Sequence, residues 1–174
     1  MPPEIGNLTR LAVLDLSNIQ LNGKLPDSIS DLSEIPTPLC KATSLEILDL
    51  SSNRISGALP SYLGDLSKLD LHENQFEGTL TLNFTNDRRL VTFNMNNNHM
   101  ERLMPLALAN CKQLKILDFG NNKISGTFPR WLLTLPELQI LVLRSNLFYG
   151  KLSFSKMEPI FPQLRIIIFH HCSI

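Results

Sequence analysis

The chain lacks a dominant charge, a long apolar run and enough cysteine for a disulfide framework. Lysine plus arginine number 16, aspartate plus glutamate also 16, and the formal net charge is +0. Without a basic footprint, nucleic acid and anionic membrane surfaces drop out as partners. Apolar runs such as Ile166 to Phe169 fall far short of the roughly 20 residues that a membrane-spanning helix takes. The start, MPPEIGNLT, has neither a basic n-region nor an apolar h-region, so no signal peptide is expected on this chain. Cys40, Cys111 and Cys172 are an odd, sparse set. Cys111 falls where Leu66 and Leu135 fall in neighbouring segments, which marks it as a small core residue. No G-x-S-x-G elbow, phosphate-binding loop or C-x-x-C occurs. Asp70, His72 and Glu73 have no nucleophile beside them to complete a triad. His170 and His171 alternate faces of a strand, so with Cys172 they do not supply the three or four converging ligands zinc needs. The expectation is a protein that is not an enzyme, with no cofactor and no metal.

What the chain has is periodicity. In LKILDFGNNKISGTFPRWLLTL (114–135), Leu114, Leu117 and Phe119 stand at LxxLxL spacing, and Asn122, Ile124 and Gly126 follow as NxIxG. The unit starts again with Leu138, Leu141, Leu143, Asn146, Phe148 and Gly150. Asn74, Asn98, Asn122 and Asn146 recur at steps of 24 residues. A fixed period in this range, with LxxLxLxxNxL inside it, is the leucine-rich repeat pattern.

The pattern has a direct physical reading. LxL alternates apolar-in and polar-out, as a short strand with one buried face does. One strand cannot bury that face alone, but stacked copies form a parallel sheet over a continuous leucine column. An asparagine where the chain leaves the strand carries donors and an acceptor for buried backbone groups of its own and the adjacent repeat. Asn53, Asn74, Asn98, Asn122 and Asn146 should therefore form a ladder. Gly23, Gly57, Gly78, Gly126 and Gly150 permit a tight backbone, including φ > 0, where the chain reverses.

The chain reads as a single array over 1–174 of about seven units, the first and last incomplete, without caps. The first complete unit has Ile19 at the ladder position, which offers no hydrogen bond. Leu14 to Leu48 is 34 residues, so the period breaks around 33–45. Asn53 to Asn74 is 21 residues, so a smaller irregularity falls at 67–71. A later unit replaces the glycine with Arg102.

LDLSSNRISGALPSYLGDL (48–66) and LDFGNNKISGTFPRWLLTL (117–135) resemble the plant-specific class of leucine-rich repeat. LPELQILVLRSNLFYGKL followed by FPQLRIIIF looks like the membrane-proximal repeats of the kinase-less plant receptor-like proteins. The chain departs from their pattern at Ile168 to Cys172. The resemblance implies an α/β fold class: a right-handed solenoid with parallel strands on the concave side and loops or short 3₁₀ turns on the convex side. It also implies an ectodomain at the plasma membrane, as part of a longer parent. The implied partner is an extracellular peptide, glycan or protein, with a co-receptor kinase beside it, in defence or development. A secreted inhibitor of the polygalacturonase-inhibitor kind, and a truncated copy without autonomous function, are the alternatives.

Solvent-facing strand residues would line the concave face. By column they read Asp15, Asp49, Asp70, Asn94, Asp118, Val142 and Ile168, then Ser17, Ser51, His72, Asn96, Gly120, Arg144 and His170, then Asn18, Ser52, Glu73, Asn97, Asn121, Ser145 and His171. A polar strip suits a polar or protein ligand. The candidate contact residues are Asp49, Asp70, His72, Glu73, Asn94, Asn96, Asp118 and Arg144. His72, Glu73, Asn94, Asn96 and Arg144 stand out because they depart from the recurring Asp-Ser-Ser background. Each Asp of LDL has a plainer reading as a residue that caps or solvates the strand. Two N-x-S/T sequons, Asn7 and Asn83, lie in outer halves where a glycan is tolerated.

Overall fold

The computed structural model describes residues 10–25, 45–59, 66–80, 89–151 and 162–169. Each LxL segment forms a three-residue strand: β1 (Val13–Asp15), β3 (Ile47–Asp49), β5 (Lys68–Asp70), β7 (Thr92–Asn94), β9 (Ile116–Asp118), β11 (Ile140–Val142) and β13 (Ile166–Ile168). They pair in parallel in the order β1-β3-β5-β7-β9-β11-β13. The central residue of strands β1 to β11 is buried and its neighbours are more exposed, which is the two-residue alternation of a sheet with one face in a core.

The NxIxG segments do more than turn. They form a second parallel sheet of six strands: β2 (Asn22–Gly23), β4 (Arg54–Gly57), β6 (Gln75–Gly78), β8 (His99–Arg102), β10 (Lys123–Gly126) and β12 (Leu147–Phe148). Its inward residues, Ile55, Phe76, Met100, Ile124 and Phe148, are at most 2% exposed. They face Leu48, Leu69, Phe93, Leu117 and Leu141 of the first sheet across one core. Phe93 and Phe119 meet edge to face within it, ring centroids 5.0 Å apart. Cys111 is buried there. The outer side carries two 3₁₀ turns, Leu106–Asn110 and Arg130–Thr134, each opened by a proline. The helical half of the architecture amounts to these among the described residues.

The irregular spacings leave the first sheet continuous. β1 pairs directly with β3, Leu14 opposite Leu48, across the longer break. β5 keeps register with both neighbours, Asp70 lying opposite Asp49 and Asn94. The sequence irregularity at 33–45 falls almost wholly outside the described residues.

The asparagines make the link between repeats. Asn98 Oδ1 accepts the Phe76 N–H at 3.0 Å, and its Nδ2 donates to the Leu71 carbonyl at 2.9 Å and to the Met95 carbonyl at 3.2 Å. Asn53, Asn74, Asn122 and Asn146 repeat this geometry, taking the N–H of Leu21, Ile55, Met100 and Ile124. Four carbonyls, those of Leu50, Leu71, Met95 and Phe119, each receive an amide hydrogen from two successive asparagines. All five side chains are buried, so these bonds satisfy backbone groups that water does not reach.

The residue before each ladder position is left-handed. Asn18, Ser52, Glu73, Asn97, Asn121 and Ser145 have φ between 52° and 58°. Asparagine tolerates this region; a glutamate there is strained. Arg102 takes φ 63° where the other repeats place glycines at φ 80° to 121°.

Candidate ligand-binding face

The face begins with how each strand ends. After LxL the chain must leave the sheet, and the side chain between the leucines caps the exit. Asp15, Asp49, Asp70, Asn94 and Asp118 each accept, through Oδ1, the N–H two residues on, at 3.0, 3.1, 3.4, 3.1 and 2.9 Å. This is the local turn that Asp and Asn favour. It gives the recurring aspartate a structural job. The Ser17 N–H also holds the Asp15 carboxyl below its ordinary range.

The capping oxygens are shared further. Ser51 Oγ donates to Asp49 Oδ1 at 2.6 Å, and Lys68 Nζ lies 3.4 Å from Asp49 Oδ2. His72 Nδ1 is 2.7 Å from Asp70 Oδ1. Asn96 Nδ2 donates to Asp118 Oδ1 at 3.0 Å, and Asn121 Nδ2 donates to Asn96 Oδ1 at 3.3 Å. Gly120 makes this crossing possible: a Cβ there would stand 2.8 Å from Asn96 Nδ2 and 3.3 Å from Arg144 Cγ. Oδ2 of Asp70 and of Asp118 has no partner among the described residues.

The register places the first expected column side by side: Asp49, Asp70, Asn94 and Asp118 face one another across successive strands. His72, Asn96 and Arg144 run beside it. Glu73 lies elsewhere. It turns to the edge between the two sheets and accepts the Ser52 Oγ–H at 2.8 Å. There it lines an open polar cleft of about 370 Å³ with Ser52, Gln75, Asn97 and His99. Asn7 and Asn83 lie outside the described residues. No three His, Cys, Asp or Glu side chains group as metal ligands among the described residues, and no described helix is long and apolar enough to cross a membrane.

Sequence reasoning passed over one column, the residue before the central leucine of each strand. Val13, Ile47, Lys68, Thr92, Ile116, Ile140 and Ile166 stand in register on the solvent face. Reading the x of LxL only after the leucine, and not before it, hid this column, which is apolar except at Lys68 and Thr92.

A family model described as leucine rich repeat matches residues 88–148, and a second of the same description matches 10–32 and 44–66. The chain carries leucine-rich repeats. Solved structures agree over most of its length. It is similar to a TDR receptor at 26% identity, with TM-score 0.80 and 97% of the chain covered. It is similar to the plant peptide hormone receptor RGFR1, in complex with RGF2, at 32% identity, TM-score 0.73 and 85% coverage. It is also similar to the leucine-rich repeat ectodomain of an Arabidopsis thaliana membrane receptor kinase, in complex with Casparian strip integrity factor 2, at 25% identity, TM-score 0.69 and 97% coverage. The chain spans 28%, 22% and 22% of these three. No curated protein sequence matches it. The leucine-rich repeat solenoid is thus of the kind found in plant receptor kinase ectodomains, with its strand columns laid out on the concave side.

Proposed function

We propose that this chain is a ligand-recognition segment of the extracellular part of a plant receptor-like protein of the kinase-less kind, displayed at the plasma membrane. The observation that carries the reading is the register of Asp49, Asp70, Asn94 and Asp118 with His72, Asn96 and Arg144 beside them. Two carboxylates there keep an oxygen unpartnered, and Arg144 keeps its guanidinium exposed. Such a strip presents hydrogen-bonding groups at strand spacing, about 4.8 Å, to a ligand lying across it. An extracellular peptide or protein fits this best, a glycan less well, because among the described residues no Phe, Tyr or Trp ring lies in these columns to stack on a sugar. A co-receptor kinase is the second partner in this reading, and signalling in defence or development its outcome. In a secreted parent Asn7 and Asn83 would carry glycans.

The test is binding of fractionated apoplastic peptides to the purified chain. Capture that is lost in Asp70→Ala with Arg144→Ala, and kept in the convex-side variant Lys112→Ala, supports the concave site. Equal capture by both variants sinks it. Inhibition of a polygalacturonase by the chain would replace the receptor reading with the inhibitor one.

A further inference from the structure

The concave face changes character along the array. Over β1 to β5 the first column carries Val13, Ile47 and Lys68, and the second is wholly acidic, Asp15, Asp49 and Asp70, with Lys68 paired to Asp49. Over β9 to β13 the first column is wholly apolar, Ile116, Ile140 and Ile166, and the second turns from Asp118 to Val142 and Ile168. The register sets these side by side: Ile140 lies opposite Ile116 and Ile166, and Val142 opposite Ile168. Ile166 is 45% exposed, whereas Val142, at 6%, is the covered floor of the group. Two columns roughly 7 Å apart on three strands roughly 5 Å apart make a strip of about 7 by 10 Å. That holds one or two large side chains. It is far below the roughly 800 Å² per partner that a stable dimer buries.

The strip has a cationic rim. Lys115 and Arg165 stand where β9 and β13 begin, and Arg144 stands just past β11, its stem against Gly120. All three are exposed, and no ion pair neutralises them among the described residues. The nearest acid in these columns, Asp118, has one oxygen committed to the Gly120 N–H and Asn96.

We infer that this strip is the anchor point of an extended partner segment, seating a leucine- or phenylalanine-like side chain whose flanking residues are acidic. The inference rests on the concave reading above and adds to it the partner's chemistry and position. Apolar burial over the isoleucines supplies the grip, and Lys115, Arg144 and Arg165 select acidic neighbours and repel basic ones.

The experiment uses the full chain with isotope-labelled isoleucine methyls. The probes are short synthetic peptides with paired leucines flanked by glutamates, the same with lysines for glutamates, and the same with serines for leucines. The glutamate-flanked peptide should shift the methyls of Ile116, Ile140 and Ile166 and leave Ile47 unmoved. Ile140→Ser should weaken it about tenfold. Arg144→Gln should weaken it too, and so should salt near 1 M, where the screening length is about 3 Å. Unchanged Trp131 fluorescence in each variant shows that the fold is kept. Equal binding of the lysine-flanked peptide overturns the acidic preference. Shifts at Ile47 without shifts at the strip overturn the position and leave the concave reading standing. No methyl response on the seven-stranded sheet to any probe overturns the anchor; the apoplastic capture assay then decides the concave reading separately.

Discussion

Asn98 sits in the middle of the ladder, and replacing it with alanine isolates what one rung contributes. Its side chain is 6% exposed. Removing it orphans the Phe76 N–H, whose side chain is fully buried; an unmet buried donor costs about 1–3 kcal/mol. The Leu71 and Met95 carbonyls fare better, because Asn74 and Asn122 still donate to them. Losing the second hydrogen bond at each costs about 0.5–1 kcal/mol. The expected loss is about 3 kcal/mol, a large part of the roughly 5–15 kcal/mol that holds a domain together. Asn53→Ala makes the same deletion where the partners, Leu21 N–H and Leu16 carbonyl, are only partly buried, and water replaces the amide. About 1 kcal/mol is expected there. Urea unfolding followed by circular dichroism and by Trp131 fluorescence gives both values, with coincident transitions required because repeat arrays can unfold in parts. Asn98→Asp adds a sign test. A carboxylate there faces the carbonyls of Leu71, Met95 and Asn96 with no hydrogen to give, so its pKa rises on folding. Its penalty is fully present at neutral pH and is relieved as pH falls through the raised folded value. Equal losses at Asn98 and Asn53, or an aspartate tolerated better than alanine at pH 7, would refute the ladder argument.

Arg102→Gly should stabilise the chain by about 0.5–1 kcal/mol in the same assay. Relief of a left-handed arginine, about 1–2 kcal/mol, outweighs the extra freedom of glycine in the unfolded chain, about 0.4–1 kcal/mol. Gly126→Ala should destabilise by about 1–3 kcal/mol, because φ there is 121° and the new Cβ would come within 2.5 Å of Leu103 Cδ2. Adding Leu103→Ala should recover little of it, since Leu103 is 68% exposed and can swing away while the backbone strain stays. Asp15 has a folded pKa below the ordinary 3.8, so its contribution is complete above that value and is lost as pH falls through the lowered one. Asp15→Asn should flatten that segment of the acid unfolding curve, with the gap between the two chains full near neutrality and closing at low pH; a gap that is absent near neutrality and opens only in acid would contradict this.

Much of the architecture was legible because the repeat states it many times. Leucine spacing alone gives strands, parallel pairing and core, and the asparagine chemistry gives the rungs. The second sheet was less legible. NxIxG is too short to show a strand period, and those strands exist because the stacked repeats bring their edges together. The left-handed column hid for a related reason: Ser52 and Glu73 are poor residues for positive φ, and the turn is imposed by the hydrogen bonds on both sides of it. On the candidate face His72 and Asn96 bond the capping aspartates and Arg144 stands by Gly120, because one register holds throughout. Glu73 lies one further step past the strand end, where it accepts the Ser52 Oγ–H at the rim of the polar cleft, a placement that residue identity alone does not reveal. The isoleucine strip went unread because β-branched residues are ordinary in strands, and its meaning depends on Lys115, Arg144 and Arg165 around it.

The carbonyl that takes hydrogens from two asparagines has a directional consequence. Among the described residues the carbonyls from Leu50 to Phe119 are each shared by two rungs, whereas Leu143 is reached by Asn146 alone and Leu16 by Asn53 alone, because Ile19 has no amide to offer. Opening therefore runs like a zipper with a preferred starting tooth. The first strand peels away before its neighbours, and amide hydrogens at Leu21 exchange with solvent earlier than those at Phe76, Met100 and Ile124.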